Sequence, residues 1–231
     1  MRIIRDDKRI RLNSRIGQFT GLGGLLILVA GMYISFQLPN LFSLAWLALL
    51  VGFTLSQISI YLSNRYGRRP RPDEHLDAAL KGLDDRYTIY HYTAPTPHML
   101  LGPAGLWVLL PRHQRGKIFY EKGRWKQKGG GFLQTYLRIF AQEGLGRPEM
   151  DQEFEAEKIQ KYLRKRAPDL QAPEIQTALV ITNEKAEIAE VDSAPFPIVE
   201  VKKLKDLVRK KAKEKGLSPE KVELLQKAFE G

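Results

Sequence analysis

The chain of 231 residues is long enough for one ordinary domain and an appendage. It has no cysteine, which excludes disulfides and thiolate metal sites and suits a reducing compartment. The formal net charge of +11 is concentrated in residues 1–15 (+4) and 65–72 (+4), leaving +3 for residues 73–231, so the basic balance speaks first for membrane topology and anionic lipid rather than for nucleic acid in general.

Residues 1–15 read as a basic N-terminal segment. From Ile16 to Asn64 there follow 49 residues without Asp, Glu, Lys, Arg or His. Within them, residues 19–38 and 41–62 are apolar runs of about 20 residues, the length that spans a hydrocarbon core of roughly 30 Å. The connector Gln37–Asn40 is short enough only for a tight helical hairpin. A buried hairpin in a soluble core is the rival reading, but soluble helices rarely stay charge-free on every face. A cleaved signal peptide fits less well, because no small-residue cleavage site follows the first run and a second run comes directly after it. The cationic flanks predict that both termini lie in the cytoplasm, in a bacterial-type inner membrane. Gly17, Gly21 and Gly24 recur at helical spacing and would allow close helix approach, including a homo-oligomer through that face, although the plainer reading is that glycine is simply common in membrane helices. Neither run holds an ionisable residue, so a transport or proton-relay role has no support.

Residues 65–72 read as a stiff basic linker, and residues 73–231 as a cytoplasmic domain. A helix is expected from Asp73, its candidate N-cap, with Leu76, Ala79, Leu80 and Leu83 on one stripe. Strands are expected over Tyr87–Thr93, on either side of Gly102-Pro103-Ala104-Gly105, and over Gly116–Lys128 with a bend at Gly123. A short helix over residues 132–142 follows, then a long one over Asp151–Ala167 with Phe154, Ile159, Tyr162 and Leu163 facing the core. Its early acids and late cations match the helix dipole. Ile175–Asn183 and Phe196–Val201 read as strands, and two helices close the chain, the last capped by Ser218 with Pro219 behind it. The order is that of an α/β sandwich with a mixed sheet and flanking helices.

This order resembles the nuclease-related domain (NERD) family over roughly residues 72–207. The likeness rests on Glu74 opening the first helix, the turn Leu100–Leu109, Gly116 followed by Trp125, Pro148 before the long helix, and the closing "ALVITN" and "PIVEV". It implies a restriction-endonuclease-like fold and, where the site is intact, a metal-dependent nuclease. There an Asp and a Glu hold Mg²⁺ against a phosphate and a Lys supports the attacking water. Carried onto this chain, the Asp falls at Pro97, the Glu at Leu110 and the Lys at Arg112, while Glu74 survives. The family's Gln falls near Asp151 or Gln152. Proline and leucine cannot ligate a metal through their side chains, and arginine cannot act as a base. The expectation is a degenerate pseudo-enzyme with no metal and no cofactor. Glu74 and Arg112 remain as residual catalytic candidates. An acid from elsewhere, such as Glu121 or Glu153, restores a Mg²⁺ site only if the chain is an active nuclease after all.

Residues 112–138 carry a net +7, with Arg112, Arg115, Lys117, Lys122, Arg124, Lys126 and Lys128 interleaved with Phe119, Tyr120 and Trp125. Such cations hold phosphate backbones, and exposed aromatics stack on bases. The plainer reading is a solvated edge strand. The basic run of residues 202–215 reads as a solvated helix face, and the acids of residues 149–157 as helix N-terminal charges. His75, His91, His98 and His113 show no ligand spacing, and there is no Ser-His-Asp elbow or Walker loop. "KGGGF" (residues 128–132) reads as a connector rather than an anion nest. The expected function is a lipid-anchored domain that binds nucleic acid or a protein partner at the cytoplasmic membrane face. An active metal-dependent nuclease and a purely structural scaffold are the alternatives.

Overall fold

The structure is a computed structural model and describes residues 1–129, 144–214 and 216–230. The chain divides into two compact units. Asp7–Arg71 forms one, and Met1–Asp6 joins the described residues from Pro72 onward in the other. The helix expected over residues 132–142, most of the glycine-rich connector, Arg138 and Lys215 lie outside the described residues.

The first unit is a helical hairpin. Helix α1 (Asp7–Gln37) ends at a 3-10 turn, Pro39–Leu41, from which α2 (Phe42–Leu62) returns. The first helix starts nine residues before the charge-free stretch that opens at Ile16, because nothing from Lys8 to Arg15 breaks a helix. Both helices are long and apolar enough to cross a membrane, and only 11% of each apolar stretch is buried. Phe19, Phe36, Trp46 and Leu50 point outward, between 59% and 77% exposed. A helix in a soluble core shows the reverse.

What lies inward is glycine. A Cβ on Gly24 would sit 3.1 Å from the Gly52 carbonyl oxygen and from Leu55 Cβ, and one on Gly17 would sit 3.0 Å from Leu62 Cβ. Ser59 Oγ crosses the seam to donate to the Gly17 carbonyl at 2.7 Å. Small residues and a hydroxyl are what lets two helices pack without a hydrophobic drive between them. The close approach expected of Gly17, Gly21 and Gly24 is thus made to α2 of the same chain.

The second unit is an α/β domain. A six-stranded mixed sheet runs in the order β1 (Arg2–Arg5), β2 (Thr88–His91), β3 (His98–Gly102), β4 (Gly105–Arg112), β7 (Ile175–Ile181), β9 (Ile198–Glu200). Strand β3 alone runs against the rest. A smaller sheet orders β6 (Arg124–Lys128), β5 (Gly116–Glu121) and β8 (Ala186–Ile188). One face of the large sheet buries Ile89, Leu100, Trp107, Leu109 and Val180 against α3 (Pro72–Leu80) and α5 (Leu204–Glu214). The other buries Tyr90, Leu106, Val108, Leu110 and Leu179 against α4 (Pro148–Arg166), α6 (Pro219–Glu230) and the small sheet. Fully buried strands read as continuous apolar runs, as "HMLLG" and "GLWVLL" do.

Several local features depart from the sequence reading. Arg2–Arg5 is not a free segment but an edge strand, parallel to β2 in the register Arg2↔Thr88 to Arg5↔His91. Gly116–Lys128 is a hairpin rather than one bent strand, and Lys122 and Gly123 both adopt the positive φ (51° and 75°) of a two-residue turn. Phe154 is 58% exposed, since it falls off the stripe on which Ile159 and Leu163 are buried. The Lys158 ammonium lies 4.0 Å from its ring centroid instead. Asp73 is fully buried inside a helix that begins at Pro72, so it is not the cap. The Gly102–Gly105 turn and the Ser218 cap are as expected, with Lys221 N–H donating to Ser218 Oγ at 3.4 Å.

Candidate functional site

Leu110 and Arg112 alternate along β4, so both belong to the sheet face that α4 covers. Leu110 is 6% exposed within the apolar core of that face. Arg112 forms an ion pair with Asp151 of α4, and its Nε donates to the Leu145 carbonyl at 3.3 Å. Of the positions the resemblance implies, the Glu position thus holds a hydrocarbon side chain, and the Lys position holds a guanidinium with its counter-ion. Pro97 lies just before β3, where its carbonyl accepts from Tyr92 N–H at 2.9 Å. Glu74 rides on α3, which packs on the opposite face, the one Leu109 lines. Beside Glu74, burial holds the His75 imidazole below its ordinary value, against the pull of the neighbouring carboxylate. Among the described residues no group of three or more His, Asp or Glu side chains is placed to hold a metal ion.

The basic hairpin β5–β6 sorts its residues cleanly. The register pairs Lys117 with Lys128, Phe119 with Lys126, and Glu121 with Arg124, which puts those six on one face. Ile118, Tyr120, Trp125 and Gln127 take the other. Trp125 is 6% exposed, packed edge-on against Tyr120 and tilted against Phe196, and so cannot stack on a base as the sequence reading expected. Phe119 is buried as well, with Lys128 Nζ 5.1 Å from its ring centroid. Two cations are neutralised locally. Lys126 pairs with Glu121 at 2.7 Å and Lys117 with Glu190 at 3.1 Å. The hydrogen bond and charge of Lys126 hold the Glu121 carboxyl below its usual range, and those of Glu190 raise Lys117. Arg115, Lys122, Arg124 and Lys128 are exposed and carry no ion pair among the described residues.

A polar network that sequence reasoning missed lies at the other side of the sheet. The Arg5 guanidinium donates to Asp73 at 3.3 Å and to Asp77 at 3.4 Å. Asp77 Oδ1 lies 3.0 Å from His91 Nε2, and His91 Nδ1 lies 2.9 Å from His98 Nδ1. An ionised carboxylate only accepts, so the Asp77 contact takes a proton on His91 Nε2. Both imidazoles are buried. The network ties β1, α3, β2 and β3 together, and the cation between its two carboxylates is Arg5. The available signal was the i, i+4 spacing of Asp73 and Asp77, which puts two acids on one helix face, beside histidines that close a short strand connection.

The basic run on α5 is a solvated face, as expected. Lys203 and Lys211 hold Glu200 and Glu214, while Lys205 and Arg209 donate to the carbonyls of Lys81 and Gly82 just past the end of α3. Comparison with protein-family models, with curated proteins and with solved structures finds no match to this chain.

Proposed function

We propose that this protein is a membrane-anchored, NERD-like domain that has lost metal-dependent cleavage and holds nucleic acid by its phosphate backbone on the β5–β6 hairpin. The strand order, with β3 alone reversed and α4 between β4 and β7, supports the restriction-endonuclease-like reading. The observation that carries the loss of cleavage is Leu110 buried in the core, where the resemblance puts a metal-holding Glu, beside an Arg112–Asp151 ion pair at the position of its Lys. For the ligand, the support is four exposed cations, Arg115, Lys122, Arg124 and Lys128, grouped on and beside one hairpin. With Trp125 and Phe119 buried, binding draws on charge and not on base stacking.

Anchoring by both apolar helices, with both termini on the cytoplasmic side, belongs to the same proposal. Its support is β1, since four residues paired to β2 keep the start of α1 and the domain after α2 in one compartment. An even number of spans follows.

Full-length protein in detergent, mixed with a labelled duplex and with supercoiled plasmid, tests the reading. Binding is expected at 50 mM salt, with log K falling against log salt at a slope of about −3 to −4, as roughly 0.9 per phosphate contact gives for four cations. Plasmid stays intact with Mg²⁺ or Mn²⁺. Changing Arg115, Lys122, Arg124 and Lys128 to Ser weakens binding about 10- to 100-fold. Metal-dependent nicking sinks the inactive reading, and a flat salt response sinks the electrostatic one.

A further inference from the structure

Helix α1 is longer than a membrane needs. Its 31 residues run to about 46 Å at roughly 1.5 Å per residue, whereas a hydrocarbon core is roughly 30 Å thick. The charge-free part begins at Ile16, so the excess falls on residues 7–15. With Ile16 at the edge of the hydrocarbon, Arg15 stands at the boundary, Arg11 about 6 Å beyond it and Lys8 about 10 Å beyond it. That layer is where lipid headgroups lie.

These three cations also share one side of the helix. At about 3.6 residues per turn, Lys8, Arg11 and Arg15 fall within an arc of about 60°. Leu22, Leu26 and Tyr33 fall on the same arc, and all six side chains are exposed. Gly17 and Gly24, which meet α2, lie about a third of a turn or more away, so the arc takes no part in the hairpin seam. Lys8, Arg11 and Arg15 carry no ion pair among the described residues, and the sequence from Lys8 to Pro72 has no Asp or Glu. One helix face thus passes from three unneutralised cations to an apolar surface. An anionic phospholipid has the same order of parts along the membrane normal, a charged head and then hydrocarbon. A zwitterionic head carries a cation of its own, which three neighbouring cations repel. A nucleic acid has no hydrocarbon to lay against Leu22 and Leu26.

We propose that this face of α1 binds a phospholipid of net negative charge. Its phosphate meets Arg15 and Arg11, Lys8 reaches the outer part of the head, and an acyl chain lies along Leu22 and Leu26. The inference rests on the anchoring proposed above and names the lipid that the anchor selects. It does not depend on nucleic-acid binding.

The test has two stages, both on the full-length protein. Flotation with phosphatidylcholine vesicles reads the anchoring alone. Thermal unfolding in detergent, with dioctanoyl phosphatidylglycerol, dioctanoyl phosphatidylcholine or glycerol 3-phosphate added, reads the headgroup. Phosphatidylglycerol is expected to raise the unfolding temperature at a concentration roughly 100-fold below that of phosphatidylcholine, at about five-fold for each of three cations. Glycerol 3-phosphate, with the charge but no acyl chain, is expected to give no shift over the same range. Changing Lys8, Arg11 and Arg15 together to Gln is expected to remove the preference. The same loss of charge at Lys161, Arg164 and Lys165, exposed on α4, is expected to leave it intact. Arg11→Lys with Arg15→Lys is expected to keep it, and the comparison of lipids on the unaltered protein stands if the triple Gln variant does not fold. Protein that fails to float overturns the anchoring and this inference with it. Protein that floats but responds equally to both lipids, responds to glycerol 3-phosphate as strongly as to phosphatidylglycerol, or keeps its preference in the triple Gln variant overturns this inference alone.

Discussion

Tyr90 is fully buried, and its hydroxyl donates to Glu230 at 2.9 Å, while Glu230 in turn pairs with Arg2. One phenol therefore joins β2 to the last helix and to the edge strand. Burial, helped by the Glu230 carboxylate, pushes its pKa above the ordinary 10.0. A raised folded-state pKa means stability that is complete below the unfolded value and is lost as pH rises through the folded one. Denaturant unfolding at pH 9 and pH 11 should therefore show a drop at the higher pH that is smaller in Tyr90→Phe. An equal drop in both proteins would show that Tyr90 does not supply it. Trp125 teaches the converse lesson at the same scale. It stands between Arg124 and Lys126, so any strand must send it to the face opposite those cations. The alternation that made the cations a row also buried the ring, and that much was readable from the sequence.

Among the elements, β1 and the glycine seam carry the most consequence. Four residues give almost no periodicity signal, and "RIIR" beside two acids reads as a charged flank until β2 supplies the partner strand. Its Arg5 holds the fully buried Asp73. Arg5→Ala should cost about 2 kcal/mol, the range for a lost hydrogen bond to a buried charge. Arg5→Lys should recover part of that, and an unchanged denaturation midpoint in Arg5→Ala would mean β1 is dispensable. In the hairpin, Gly23 has nothing within 4 Å of a Cβ, whereas Gly24 meets three atoms at 3.1 Å. Gly24→Leu should lower the unfolding temperature in detergent by several degrees, at the ~1–3 kcal/mol typical of overpacking. Gly23→Leu should leave it within error, and similar losses in both would show that the seam does not determine the packing.

For the whole molecule, the apolar helical hairpin is an insertion between the first strand and the first helix of the α/β domain. A reporter fused after Gly231 should be active only as a cytoplasmic fusion, and so should one placed before Met1. Opposite results at the two ends would break the β1–β2 pairing on which the proposed topology rests. Composition and hydropathy determined by themselves that the chain has two apolar helices and an α/β order after them, because charge-free length and strand or helix period are local properties. They also determined that Pro97 and Leu110 cannot ligate a metal, since that is a matter of side-chain chemistry. Only the tertiary structure decided which residues meet. Arg5 finds Asp73 and Asp77 across more than sixty intervening residues, and the glycines find α2 of their own chain. Those pairings depend on strand register and helix facing, which the folded sheet imposes and no local pattern encodes.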